Sequence, residues 1–175
     1  MTDSSAPFPP KDLAGFLTFC VGEWMSLRSR FALASGGDDS WHASERGELR
    51  VEWQAGACED DLGALTLTPK GQPARHLRFQ SDGCFQSGCV QRDAGLQAGT
   101  GADATDQRGT WELWPDGSLE LVVKQGEREL RERIWFTKPN LRLRSTVERF
   151  ADGRPSDASF SSEIRRVARP PAQEA

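Results

Sequence analysis

The chain has 175 residues, enough for one domain with a substantial core. Hydrophobic residues make up 37%, mean hydropathy is -0.60, and the longest apolar stretch, Leu13 to Val21, is too short to cross a bilayer. A formal charge of -4 and a pI near 5.3 argue against nucleic acid as the main partner.

Met1 to Pro10 reads as a mobile arm without a basic residue. No small-residue cleavage site follows Leu13 to Val21, so a secretory signal is not expected and the cytoplasm is the default location. Leu13, Phe16, Leu17, Cys20 and Val21 repeat at helical spacing and predict one amphipathic helix, which Gly22 is placed to stop.

Beyond Gly22 the period changes to two. Leu49, Val51 and Trp53 alternate with polar residues, as do Leu65 and Leu67, Leu77 and Phe79, Trp111 and Leu113, then Leu119, Leu121 and Val123. Turn chemistry separates these runs at Ser81-Asp82-Gly83, Pro115-Asp116-Gly117, Gln125-Gly126-Glu127, Lys138-Pro139-Asn140 and Asp152-Gly153. Ser35 to Ser40 and Ala94 to Gln107 read as longer loops, and the tail from Arg169 to Ala175 as disordered. Many short strands behind one helix predict an all-β, lipocalin-like, closed or nearly closed antiparallel barrel over residues 11–168, closure being what removes unpaired strand edges.

The four cysteines, Cys20, Cys58, Cys84 and Cys89, have neither the pairing nor the histidine neighbours of a zinc site, and a cytosolic chain keeps them as thiols. Cys20 belongs to the apolar stripe. Cys84 and Cys89 stand five residues apart, on opposite faces of a strand, as plain thiols. His42 and His76 fit no catalytic triad and read as surface or loop residues.

The last three strands carry the chemistry. Glu132, Ile134 and Phe136 share one face; Arg142, Arg144, Thr146 and Glu148 share another; Ser159, Ser161, Glu163 and Arg165 share a third. Alternation does not say which face points inward. One arrangement buries Leu141, Leu143, Val147, Phe160 and Ile164 and leaves the arginines in water, because Arg and Glu are rarely buried unless paired. The other turns two arginines at i and i+2 into a polar cavity as a double clamp for carboxylates, with a glutamate opposite to balance charge or bond a nitrogenous ligand.

Glu132-Arg133-Ile134-Trp135-Phe136, followed by Pro139-Asn140-Leu141-Arg142-Leu143-Arg144-Ser145-Thr146, resembles the ERxWF…PNLRLRTS stretch of the S/U-type phycobiliprotein chromophore lyases, the CpcS/CpeS family. Ala158 to Arg166 is similar to that family's ASFxSEIR ending, and Phe16 with Gly22-Glu23-Trp24-Met25-Ser26-Leu27-Arg28-Ser29 to its passage from helix to first strand. Met25 stands where the family pattern has a basic residue, and Leu27 where it has Gln.

The resemblance implies a lipocalin-like or fatty-acid-binding-protein-like barrel with an N-terminal helix that binds a phycobilin, phycocyanobilin or phycoerythrobilin, as substrate and joins it by a thioether to a cysteine of a phycobiliprotein alpha or beta subunit. It implies no metal and no prosthetic group. Carried over by position, Arg28, Arg142, Arg144 and Thr146 bind the bilin, the arginine pair meeting its two propionates. Glu132 and Glu163 are the catalytic carboxylates, either of which keeps the ring system protonated and so electrophilic at its ethylidene carbon. Trp53, Phe79 and Trp111 are candidates for stacking on the bilin. The resemblance also implies assembly as a homodimer or as a heterodimer with a homologous lyase chain. Two other roles stay open: a non-catalytic bilin carrier, or the partner subunit of a heterodimeric lyase.

Overall fold

The fold begins with a short helix whose ends are chemically marked. Asp12 caps α1 (Leu13–Cys20), its side chain accepting a hydrogen bond from the Gly15 amide at 2.7 Å. Leu13, Phe16, Leu17 and Cys20 form its buried stripe, as their spacing predicts. Val21 is the extended C-cap, so it lies beyond the helix, and Gly22, at φ 133°, makes the turn into the first strand. The computed structural model describes residues 7–34, 42–89 and 107–167.

Ten strands follow: β1 (Gly22–Ala32), β2 (His42–Gln54), β3 (Asp61–Pro69), β4 (Arg75–Gln80), β5 (Cys84–Cys89), β6 (Gln107–Leu113), β7 (Leu119–Gln125), β8 (Arg128–Lys138), β9 (Leu141–Phe150) and β10 (Pro155–Arg165). They form a closed antiparallel barrel in which each strand pairs with its sequence neighbours and β1 pairs with β10 to seal it. This is the all-β barrel the alternation predicts. The expected loop at 35–40, the expected loop from Ala94 up to residue 106 and the tail at 169–175 lie outside the described residues, as do residues 1–6 of the arm; Gln107, expected to end the second loop, instead opens β6. Of the rest of the arm, Pro10 is buried and the Phe8 ring sits 5.8 Å from Phe19. Both histidines are exposed, on β2 and β4 rather than in loops. The side chain of Cys89 is outside the described set, while Cys84 is a half-buried free thiol.

The helix lies across one end of the barrel. Phe16 meets Phe136 edge to face at 5.3 Å, the Trp24 indole N–H donates to the Cys20 carbonyl at 2.9 Å, and Trp24 packs on Phe136 at 6.1 Å. Above this floor the inner wall divides in two. From β2 round to β7 it is apolar, with Val51, Leu65, Phe79, Phe85, Leu119, Leu121 and Val123 buried. From β8 through β10 to β1 it carries charges and hydroxyls.

Gly109 is closely packed in the apolar half: a Cβ there would lie 2.4 Å from the Val122 carbonyl and 2.6 Å from the Phe85 ring. Phe16, fully buried where the helix meets the barrel, joins the two. Phe16→Ala is expected to cost about 4 kcal/mol and to lower Tm by on the order of 10 °C for a domain of this size. Thermal and urea unfolding followed by circular dichroism measures both.

Candidate functional site

Strand period two, applied to three adjacent strands, builds the site. Glu132 and Ile134 on β8, Arg142 and Arg144 on β9, and Ser161 and Glu163 on β10 all turn inward, because in an antiparallel ladder directly opposed residues share a face. The register pairs Glu163 with Arg142, Ser161 with Arg144, Ile134 with Arg144 and Glu132 with Thr146. Ser26 and Arg28 extend the same face onto β1, where Arg28 lies opposite Ser161. Burial decides the question that alternation leaves open. Arg142 is 1% exposed and Glu163 4%, whereas Phe160 and Ile164 are 42% and 53% exposed. The arrangement that buries Leu141, Leu143, Val147, Phe160 and Ile164 as core is therefore wrong for this wall. The opposite faces of the same strands turn in, since paired guanidinium and carboxylate groups meet the condition on which charges are buried.

The centre of the site is a charge cluster. Arg142 Nε donates to Glu163 Oε2 at 2.5 Å, while Arg144 Nε stands 3.7 Å from Glu163 Oε1 and Arg144 Nη1 3.3 Å from Glu132 Oε1. Arg28 Nη2 donates to Ser159 Oγ at 3.1 Å. Burial alone would raise the Glu163 carboxyl, but Arg144, Arg142 and Arg28 outweigh it and hold the group below the usual carboxylate range, ionised at neutral pH. Burial alone would weaken Arg144 as a cation; Glu132 and Glu163 reverse that and raise it. Burial pushes the Cys20 thiol up, against the pull of Arg142 and Arg144, so it remains a thiol.

Three arginines, Arg28, Arg142 and Arg144, thus face two carboxylates, Glu132 and Glu163. Positive charge is in excess, and the donors are not all met. Arg28 Nε, Arg142 Nη2 and Arg144 Nε are buried without a hydrogen-bond acceptor. The two members of the expected arginine clamp differ. Arg142 sits at the floor, its Cζ 4.5 Å from the Trp24 ring centre; Arg144, one layer up, keeps 21% of its side chain exposed, as does Glu132. Thr146 is half-buried one layer further toward the open end.

Sequence reasoning reads Trp24 only as part of a family motif, yet it organises the floor. Arg142 and Arg165 both stack on its ring, at 4.5 and 4.6 Å. Arg165 in turn donates to the carbonyls of Phe19 and Val21, at 2.5 and 2.7 Å, and so ties the end of α1 to the charge cluster. The missed signal was available: Trp24 and Arg28 lie on one face of one strand, with Ser26 between them. The residues above the cluster are small. A Cβ on Gly47, beside Ser26, would already lie 3.0 Å from Ser26 Oγ, and Ser159 and Ser161 occupy β10 there.

The aromatic candidates on the opposite wall separate. Phe79 is fully buried and belongs to the core, and Trp111 donates its indole N–H to the Gln80 carbonyl at 3.0 Å. Trp53 is half-buried, and its indole N–H has no acceptor. Met25 and Leu27, the two departures from the family pattern, point outward at 45% and 48% exposure and do not touch the interior. Among the described residues no group of His, Cys, Asp and Glu side chains could hold a metal ion, and no helix is long and apolar enough to cross a membrane.

Comparison with known proteins agrees with this geometry. A family model described as CpeS-like protein matches residues 76–166. Chromophore lyase CpcS/CpeS 1 of Paulinella chromatophora is 42% identical over 164 residues, covering 93% of this chain and 92% of that one. Chromophore lyase CpcS/CpeS 1 of Synechocystis sp. (strain ATCC 27184 / PCC 6803 / Kazusa) is 39% identical over 185 residues, with 93% and 94% covered. The structure of the S-type phycobiliprotein lyase CPES from Guillardia theta shares the fold, with a TM-score of 0.58 at 18% identity over 88% of this chain and 92% of that one. With the charged inner wall and the relatives in agreement over nearly its whole length, the chain belongs to the CpcS/CpeS family of chromophore lyases.

Proposed function

We propose that this lyase holds an open-chain tetrapyrrole, phycocyanobilin or phycoerythrobilin, inside its barrel and presents it to a cysteine of a phycobiliprotein subunit in the cytoplasm. The observation that carries the reading is the surplus of buried positive charge with unmet donors on one wall, facing an apolar, aromatic wall. A flat apolar ligand bearing two carboxylates matches both halves at once. Its rings lie against the side of Leu49, Val51, Trp53, Leu65 and Leu67, and its propionates reach Arg28 and Arg144, the inward-facing arginines whose Nε–H groups lack an acceptor.

The roles then divide by burial. Arg142 and Glu163, sealed at the floor, set the position and charge of Arg144. Glu132, partly exposed beside Arg144, accepts a hydrogen bond from the pyrrole nitrogens and balances the protonated ring system. Thr146 supplies a hydroxyl on the same face. Glu163 is ionised already, so it acts as counter-ion rather than as proton donor.

The acceptor thiolate forms the S–C bond at the ethylidene carbon. The double-bond pair moves into the ring system and takes up the proton the thiol has lost, so nothing leaves and no oxidant is needed. The barrel contributes orientation and exclusion of competing additions. Pairing with a second copy or a homologous chain belongs to the same reading.

Co-expression with a bilin source and each candidate apo-subunit is expected to yield a covalent, fluorescent subunit on a denaturing gel. Bilin binding without transfer would make the protein a carrier, and transfer only with a homologous chain would make it a partner subunit. Arg144→Ala and Arg28→Ala are each expected to weaken bilin binding about 10- to 100-fold, the scale of a charge-assisted hydrogen bond. Titration by absorbance measures this, and unchanged affinity in the Arg142→Ala/Arg144→Ala double variant would remove the clamp.

Glu163→Gln leaves Arg142 buried without its partner and is expected to cost about 3–5 kcal/mol at neutral pH. Because the folded carboxyl sits below its unfolded value near 4.3, the wild-type advantage is full above that pH and shrinks as pH falls through the folded value. Urea unfolding of both proteins at neutral and at acid pH should show the gap closing on acidification.

A further inference from the structure

The apolar wall has one exception. Arg75 opens β4 at the end of the barrel away from α1, exposed at the mouth yet on the inner face. The register sets it opposite Leu67 on β3 and Cys89 on β5, in the alternating set that continues through Leu77 to the fully buried Phe79. Among the described residues it is the only cation on the inner face of β3 to β7.

The side chain is held in that orientation. Arg75 Nη2 donates to Ser87 Oγ at 3.0 Å, on the diagonal between the two neighbouring strands. Ser87 is 4% exposed, two residues along β5 from the buried Phe85, at a position where the core would otherwise take an apolar side chain. The arginine it anchors accounts for a buried hydroxyl there. Arg75 meets no carboxylate among the described residues, so the fold itself uses one edge of the guanidinium and leaves the rest of its donors for another acceptor.

We infer that Arg75 is a specificity-determining residue, donating to the terminal lactam oxygens of the bound tetrapyrrole and so selecting an open chain over a closed ring. The inference rests on the bilin reading. An open-chain tetrapyrrole carries its propionates on the two middle rings and a lactam carbonyl on each end ring. Coiled, it brings the end rings together on the edge opposite the propionates. With the propionates at Arg28 and Arg144, that edge faces away from β9 and β1, toward the wall on which Arg75 stands.

A closed porphyrin bears the same pair of propionates but only carbon substituents on the opposite edge. Bound in the same pose, it would leave the guanidinium without an acceptor against an apolar surface, which is how a polar group rejects a ligand that cannot answer it. Arginine suits the task better than lysine, because its planar fork lets Ser87 fix one edge while the other serves the ligand.

Absorbance titration of the full chain with phycocyanobilin, with its dimethyl ester and with protoporphyrin IX tests the assignment. Arg75→Leu is expected to weaken phycocyanobilin about 10-fold, the low end for a charge-assisted hydrogen bond. The dimethyl ester should lose the same factor, since esterification removes the propionate charges and keeps both lactams. Protoporphyrin affinity should stay level or rise, with wild-type circular dichroism throughout. Ser87→Ala, which releases the guanidinium without removing it, should cost phycocyanobilin about 3-fold. Unchanged phycocyanobilin affinity in Arg75→Leu would overturn the assignment. So would a loss confined to the free acid, which would make Arg75 a propionate contact, or an equal loss for protoporphyrin, which would make it part of the general cavity wall. A wild type that takes up no bilin would remove the bilin reading and this inference with it, whereas any of the three other results against intact uptake removes this inference alone.

Discussion

The Arg142–Glu163 pair is the constraint around which the rest of the molecule is arranged. Two fully desolvated charges are tolerable only with close partners. The structure supplies them from each side: Trp24 beneath the guanidinium, Arg144 beside the carboxylate, and Arg28 one layer away. Trp24 and Arg165 then bind this cluster to the last carbonyls of the helix. The floor of the barrel is a single connected unit in which the helix position, the inward face of three strands and the charge state of Glu163 are fixed together.

The pair also has a consequence on the far side of the wall. Side chains in a strand alternate without exception unless a bulge intervenes, and the bulge in β8 falls between Phe136 and Lys138, beyond the charged positions. Directing Arg142, Arg144 and Glu163 inward therefore directs Leu141, Leu143 and Ile164 outward. The charged inner wall and the apolar outer face are two sides of one register. A shift of one residue would put the apolar set inside, expose the charges and abolish both features at once.

This register explains which parts of the molecule can be read from sequence. Period two correctly groups Leu49 with Val51 and Trp53, and Arg142 with Arg144, because grouping is a local property of the backbone. The sense of each group is not local. Near β2 and β7 the apolar set turns in; near β9 and β10 it turns out, and nothing within Leu141 to Glu148 distinguishes the two cases. Only the order of motif residues across distant strands, from Arg28 to Glu163, carries that information. The stacking role of Trp24 is hidden for the same reason, although its place in the motif is visible: its partners, Arg142 and Arg165, lie more than a hundred positions away. The spacing of α1, by contrast, placed Phe16 and Cys20 correctly, since a helix declares its buried stripe within two turns.

The split interior gives the site a direction. An apolar wall alone would accept a flat ligand in either orientation and at several depths, since burial of apolar surface has no preferred direction. Charges on the opposite wall remove that freedom. Arg142 and Glu163 are sealed, so any effect on a ligand would pass through their neighbours, whereas Arg144, Glu132 and Arg28 lie on the same inner face in the layers above. A ligand with acidic groups on one edge gains from them only with that edge toward β9 and β1. Its opposite edge then lies along β2 and β3, where Leu49, Trp53, Leu65 and Leu67 offer no competing charge. Orientation follows from the mismatch between the two walls rather than from any single contact.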